Sequence, residues 1–262
     1  FLEGLALAGV PGSALAYLVD EVSATTVAVA SGTYISGTTL GGLAGRLLAG
    51  FVGEPAGWRW GVAAVSLMAA LATLFFLAKA PAAQGFTPIR NQNLRSIGAK
   101  FGQALRGRML LVYAQGFLLM GGFVAVYNYL AFRLEAPPFL IPTSLAALVF
   151  LAYLSGTYTS VASGKLVLRF GRKNTLLGST LTSTLGLAIT LSENLLLIIA
   201  GLLIFTAGFF AAHAVASGWV PVLASQARAQ AASLYNLFYY IGSSLLGWLI
   251  GIPFMGYGWP VV

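Results

Sequence analysis

Eight apolar runs dominate this sequence, at roughly 1–19, 27–52, 60–79, 109–133, 142–163, 174–192, 194–219 and 229–254. Each is about long enough to cross a bilayer as a helix. A backbone in lipid must satisfy its own hydrogen bonds, and these runs are too long and continuous for the alternating strands of a barrel, so all eight are predicted to be helical. The chain is 58% hydrophobic and 8% charged, whereas soluble globular domains carry about 25% charged residues. The expected fold class is therefore an all-α polytopic membrane protein. The net charge of +8 does not argue for nucleic acid, because the basic residues sit in connectors beside the runs, where anionic lipid headgroups are the partner they suit. With no cysteine there is no disulfide framework, no thiolate catalysis and no cysteine metal site. The chain starts and ends inside apolar stretches and reads as a fragment of a longer protein.

Arg and Lys are costly to move through hydrocarbon, so short basic connectors stay cytoplasmic. If the connector at Gly164–Lys173 is cytoplasmic, eleven of the 14 basic residues fall on that side. They are Lys79, Arg90, Arg95, Lys100, Arg106, Arg108, Lys165, Arg169, Arg172, Lys173 and Arg228. Arg59 and Arg133 fall outside, and Arg46 lies within a run. This bias rejects the flipped topology and puts both Phe1 and Val262 outside. Residues 81–107 form the only long polar connector. From Asn93 onward, Leu94, Ile97, Phe101 and Leu105 recur at spacings of three and four, which predicts a short basic amphipathic helix on the membrane surface. The expected organisation is 1–80 as three helices of one bundle, 81–108 as a cytoplasmic linker, and 109–262 as a second bundle of about five helices.

The basic connector carries more than charge. Gly164, Leu166, Arg169, Gly171, Arg172 and Lys173 match the pattern G-x-L-x-D-R-x-G-R-[KR], with Leu168 at the acidic position. Further on come Gly208-Phe-Phe-Ala-Ala-His213, Ala216-Ser-Gly-Trp-Val220, Ser233-Leu-Tyr235 and Tyr239-Tyr-Ile-Gly-Ser-Ser244. In these stretches the chain resembles the major facilitator superfamily, in its arabinose-efflux-like, drug:proton antiporter-like branch. The resemblance implies two six-helix bundles, alternating access and proton exchange. It covers about the fourth helix to the start of the twelfth, with Glu3-Gly4 similar to the tail of the motif R-x-x-[QE]-G that opens the fourth. It implies a gating role for the Gly164–Lys173 loop, although Leu168 replaces the acid that helps latch the cytoplasmic side. It also implies a bacterial inner-membrane location and a monomer when full length.

Polar groups inside apolar runs are the candidate solute route, since such groups face protein or a water-filled cavity. Arg46 follows Gly37, Gly41 and Gly45, whose spacing of four predicts close helix packing. Gln115 and Asn128 flank the pair Gly121-Gly122, which is expected to loosen its helix. Tyr158 precedes the basic loop. His213, the single histidine, is surrounded by small residues, and Tyr235, Asn236 and Tyr239 fall within one helical turn of each other. His213 serves either as substrate contact or proton carrier, or as a neutral group bonded across helices. Aromatic rings with one polar tip suit amphipathic organic molecules. No metal or other cofactor is expected.

The function these features favour is secondary active transport of a small organic solute, drug-like or sugar-like, with protons as coupling ion. A facilitative uniporter or importer, a channel and a non-transporting scaffold are the alternatives. A membrane-embedded transferase would need an acidic cluster for metal and diphosphate, and only Asp20 and Glu21 are adjacent among six acids, so the chain is not expected to be an enzyme. No phosphate-binding loop for ATP is present.

Overall fold

The computed structural model describes residues 2–23, 25–80, 83–85, 93–142, 146–224 and 227–262. Arg90, the turn at Pro81 and the first residues of the fifth run lie outside the described residues, as does the side chain of Glu3. The helices are α1 (Leu2–Glu21), α2 (Val27–Ala56), α3 (Trp58–Lys79), α4 (Leu94–Ala104), α5 (Arg108–Glu135), α6 (Tyr153–Ile189), α7 (Leu195–Leu223), α8 (Arg228–Leu249) and α9 (Gly251–Tyr257). A 3-10 turn (Ala147–Ala152) leads into α6, and another (Trp259–Val261) follows α9. Five segments combine the length and apolarity of a membrane span: Val27–Gly53, Trp58–Lys79, Arg108–Glu135, Leu195–Leu223 and Arg228–Tyr257. With α1 and the two arms of α6, eight helical runs overlap the predicted ones; the fifth is displaced, its α-helix starting at Tyr153 and running on through the predicted connector to the break at Gly171.

Glycine in left-handed backbone marks two junctions. Gly57 (φ 89) is the single residue between α2 and α3, so both helices extend past the predicted ends at 52 and 60 and the connector shrinks to one residue. Gly171 (φ 78, ψ 161) divides α6 into two arms that reverse upon each other. Asn93 starts α4, accepting the Ser96 amide hydrogen at 2.8 Å.

α7 is the hub. Both arms of α6 pack on it, and α1, α2, α5 and α8 touch it as well. Small residues make this possible. A Cβ on Gly208 would sit 2.4 Å from the Ser183 backbone nitrogen, and one on Gly186 would sit 2.2 Å from the Phe205 nitrogen. Hydroxyls of both arms reach the α7 backbone: Ser155 donates to the Leu203 carbonyl (3.1 Å), Thr159 to Ala207 (2.8 Å) and Ser183 to Phe205 (3.0 Å). At the far end, Arg133 donates to the Thr190 and Ser192 carbonyls that close α6, and Trp259 Nε1 donates to Thr190 Oγ1 at 3.0 Å. Cations suit the exposed carbonyls at a helix C-terminus.

Two sequence expectations are corrected. Gly37 and Gly41 have no described atom within 4 Å of a built Cβ, and Gly45 makes only ordinary contact with Met68 and Val65. The tight approach on α2 is at Gly32 instead, where a Cβ would lie 2.2 Å from the Ser160 carbonyl oxygen of α6. Gly121-Gly122 does not interrupt α5, which is one continuous helix. Gly121 admits Leu246 and the Gly242 carbonyl of α8, so its missing side chain serves packing.

Candidate functional site

Six elements line a half-open cavity of about 220 Å³. Pro11 and Leu15 come from α1, and Tyr34, Ile35, Thr38, Thr39 and Gly42 from one face of α2. Met120 and Phe123 come from α5, Tyr153 from α6, Phe209, Phe210 and His213 from α7, and Asn236, Tyr239 and Tyr240 from α8. The α2 residues share a face because they are spaced by one helical turn.

His213 sits deep in this wall. Its Nδ1 is 2.9 Å from the Tyr235 hydroxyl, and Tyr235 is completely buried. The Tyr235 ring lies against α5 at Gly116, where a Cβ would come within 2.7 Å of Cε2. Glycine at 116 therefore lets α5 and α8 close around that ring. Near-parallel rings run along the wall from there. Phe123 and Phe209 stack at 3.9 Å and 20°, Phe209 and His213 at 6.0 Å and 7°, and His213 and Tyr239 lie 4.5 Å apart at 30°. Asn236 is 8% exposed, and its Nδ2 has no hydrogen-bond partner among the described residues. An unpaired buried amide is costly, so a donor left this way beside a cavity has an acceptor to gain. The Thr38 and Thr39 hydroxyls are both turned to the Ile35 carbonyl, each at 2.8 Å.

The structure brings His213, Tyr235, Asn236 and Tyr239 together and separates the other candidates. Tyr158 is 76% exposed and points out of the bundle, because the buried face of that arm carries Gly156 and Ser160. Asn128 is exposed near Gly247 and is not part of the cavity lining. Gln115 donates from Nε2 to Thr180 Oγ1 at 2.5 Å, which ties α5 to the second arm of α6 away from the cavity. Arg46 is exposed, with its guanidinium carbon 4.2 Å from the Phe150 ring centroid and 5.9 Å from that of Tyr153. It thus stands beside a lining ring without lining the cavity itself.

In the basic loop, Gly171 is the break between the arms, and Gly164 lets the first arm touch α2, where a Cβ would be 2.7 Å from the Val29 Cα. Arg169 lies 5.1 Å from the Phe170 ring, Leu166, Leu168 and Lys173 are exposed, and partial burial lowers the pKa of Arg172. At the same end of the molecule Arg228 of α8 pairs with Asp20 of α1. Next to it, Glu21 accepts the backbone N–H groups of Gln84 and Gly85 at 2.8–3.0 Å. The sequence reading missed this ion pair, whose partners are 208 residues apart, and the aromatic wall of Tyr34, Phe123, Phe209 and Phe210. The spacing of Phe209 and His213 by one turn is the signal that could have joined the ring to the histidine.

Residues 1–247 match the Major Facilitator Superfamily profile. The chain is 41% identical over 259 residues to the inner membrane transport protein YnfM of Escherichia coli (strain K12), covering 98% of this chain and 62% of that protein. It is 34% identical over 259 residues to the uncharacterized MFS-type transporter YybF of Bacillus subtilis (strain 168), covering 98% and 64% respectively. A similarity of 36% over 258 residues, 98% of this chain and 61% of the relative, links it to an uncharacterized transporter of Buchnera aphidicola subsp. Schizaphis graminum (strain Sg). The chain thus spans less than two thirds of the length of these relatives. With apolar helices in this order, and a profile that runs along almost all of it, this multi-pass membrane protein belongs to the Major Facilitator Superfamily.

Proposed function

We propose that this protein carries a small organic solute across the membrane by alternating access, as proton-coupled efflux. The observation that carries this reading is the cavity itself: His213 and Asn236, polar groups deep in apolar helices, face a void bounded by helices from both ends of the chain. We take 1–80 and 109–262 as the two rocking bodies, joined by the linker 81–108. An ion pair and close backbone contacts join them on the side of the basic loop, where Asp20 meets Arg228, Gly164 meets Val29 and Gly218 meets Ser31, and the charge bias makes that side cytoplasmic; farther along α2, Arg46 also reaches the Phe150 and Tyr153 rings. The printed name of the Escherichia coli relative agrees with an inner-membrane location.

His213 is the proposed proton carrier. Tyr235 occupies Nδ1, which leaves Nε2 as the ring nitrogen available to the cavity. Purified full-length protein in proteoliposomes with an imposed pH gradient is the test. Saturable flux that follows the gradient, and is uncoupled in His213→Ala, is expected; ohmic conductance would overturn the reading. A facilitative uniporter is the second reading, because no described carboxylate lines the cavity. Saturable flux indifferent to the gradient selects it.

A further inference from the structure

We infer that Arg46 is a latch between the two bodies. Its cation–π contact holds α2 to the first arm of α6 at the end of the cavity away from the basic loop, and that contact must break for this end to open. The inference rests on the transport reading and on the division of the chain at the linker. It makes Arg46 a positioning residue, acting through the rings it touches and not on the solute.

The first observation is how the seam is held along its length. α2 and the first arm of α6 run antiparallel: Gly164 meets Val29, Gly32 meets Ser160, and farther along α2 Arg46 reaches Phe150 and Tyr153. Near the basic loop backbone meets backbone, with a Cβ on Gly32 only 2.2 Å from the Ser160 carbonyl oxygen. Midway, Ile35, Thr39 and Gly42 line the void, and a Cβ on Gly42 would meet no described atom within 4 Å. Beyond the void the seam is joined by one long side chain, whose guanidinium carbon lies 4.2 Å from the Phe150 centroid and 5.9 Å from that of Tyr153. The second observation is the chemistry of this join. Arg46 stands inside the apolar segment Val27–Gly53, where a cation takes its partners from protein or a polar route. The one ion pair among the described residues is Asp20–Arg228, so the described groups that stabilise the Arg46 charge are two ring faces of the other body. That attraction strengthens as the cation loses water. The third is what the rings are mounted on. Phe150 stacks on Tyr127 at 5.4 Å and 18°, and the Tyr127 hydroxyl is 2.7 Å from Thr206 Oγ1 of α7. Tyr153 borders the void and lies 5.6 Å from Phe210. Arg46 thus grips a ring fixed to the hub, next to a ring of the cavity wall. A side-chain contact of this kind parts and re-forms while the backbone contacts at the other end stay, as rocking bodies require.

Thiol accessibility tests this. The chain has no cysteine, so Thr39→Cys in full-length protein freed of any other cysteine reports on the void. Thr39 is 4% exposed, lines the cavity and lies about two turns before Arg46 on the same face. A membrane-impermeant thiol reagent is added outside intact cells, the side opposite the basic loop by the charge bias. Arg46→Gln is expected to speed labelling about tenfold. Phe150→Leu, which keeps an apolar side chain and removes the ring face, should do the same. The two together should go no further than either, because they remove one contact. Arg46→Lys keeps a cation and should label more slowly than Arg46→Gln. The inference is overturned if either Arg46→Gln or Phe150→Leu leaves the rate unchanged, or if Arg46→Lys labels as fast as Arg46→Gln. It is also overturned if the two effects multiply, which would make Arg46 a cation snorkelling to the interface. Its failure is distinct from that of the transport reading. Saturable flux with labelling indifferent to Arg46 sinks only the latch. Labelling that follows the latch, with no flux of any solute, sinks only the transporter.

Discussion

α3 and α7 are both long and apolar enough to cross a membrane, yet α3 buries only Gly61 among its described residues whereas α7 buries eighteen. Alanines do not separate them, since each helix carries six; glycines do. α7 carries Gly201, Gly208 and Gly218, each against a neighbouring element, so other helices reach its backbone on several sides. α3 carries Leu67, Leu71, Leu74, Phe75 and Phe76, all more than half exposed among the described residues, and its main packing partner is α2. Lipid tails are as apolar as leucine, so bulk apolar side chains gain nothing by leaving them for protein. Apolarity decides that a helix enters the bilayer; glycines at its contacts and hydroxyls facing it accompany its central place.

The sharpest way to break this comparison is Gly208→Leu. The obstructing atoms are backbone of α6, which cannot rotate aside, so a loss of more than about 3 kcal/mol and of the monodisperse species on size-exclusion chromatography is expected. A stable variant would remove α7 from its central role. Gly61→Leu asks the same of α3 at its single tight contact, where a Cβ would lie 2.8 Å from the Ala49 carbonyl oxygen. It should cost about 1–3 kcal/mol, read as a lower Tm in detergent. Tyr235→Phe removes the α8 partner of His213 on the central helix: a stability change of about 1 kcal/mol is expected, with gradient-driven flux lost. Unchanged flux would show that the His213–Tyr235 bond only holds helices together. Leu71→Ala, on the exposed face of α3, should change stability by less than about 0.5 kcal/mol in the same melt. A larger drop would mean that this face is packed rather than bathed in lipid.

Much of the architecture was legible because hydropathy records it directly. The eight runs and the short helix after Asn93 follow from periodicity and length, and Gly171 was marked by its place in a known pattern. Helical phase was not legible. α5 is apolar nearly all round and the first arm of α6 scatters hydroxyls over several faces, so nothing in the sequence says that Asn128 and Tyr158 face outward while Tyr127 and Tyr153 face inward. His213, Asn236 and Tyr239 could be found because each is a polar tip among apolar or small neighbours. Phe123 and Phe209 could not, since a phenylalanine in a membrane helix carries no mark of which side it serves. The Asp20–Arg228 pair has no local signature at all, because its halves meet only after the chain has folded.

The way α7 is held has a bearing on how its sequence can vary. Ser155, Thr159 and Ser183 grip it through the carbonyl oxygens of Leu203, Ala207 and Phe205, groups that every amino acid supplies. Replacing the side chains at 203 and 207 leaves the acceptors intact, and at 205 the carbonyl also stays although the Phe205 ring packs in the core, whereas losing one hydroxyl on the opposing arms of α6 removes a fastening. Tolerance to drift at these three bonds is therefore lopsided: the acceptor positions keep their carbonyls under substitution, and the donor positions lose the bond with the hydroxyl.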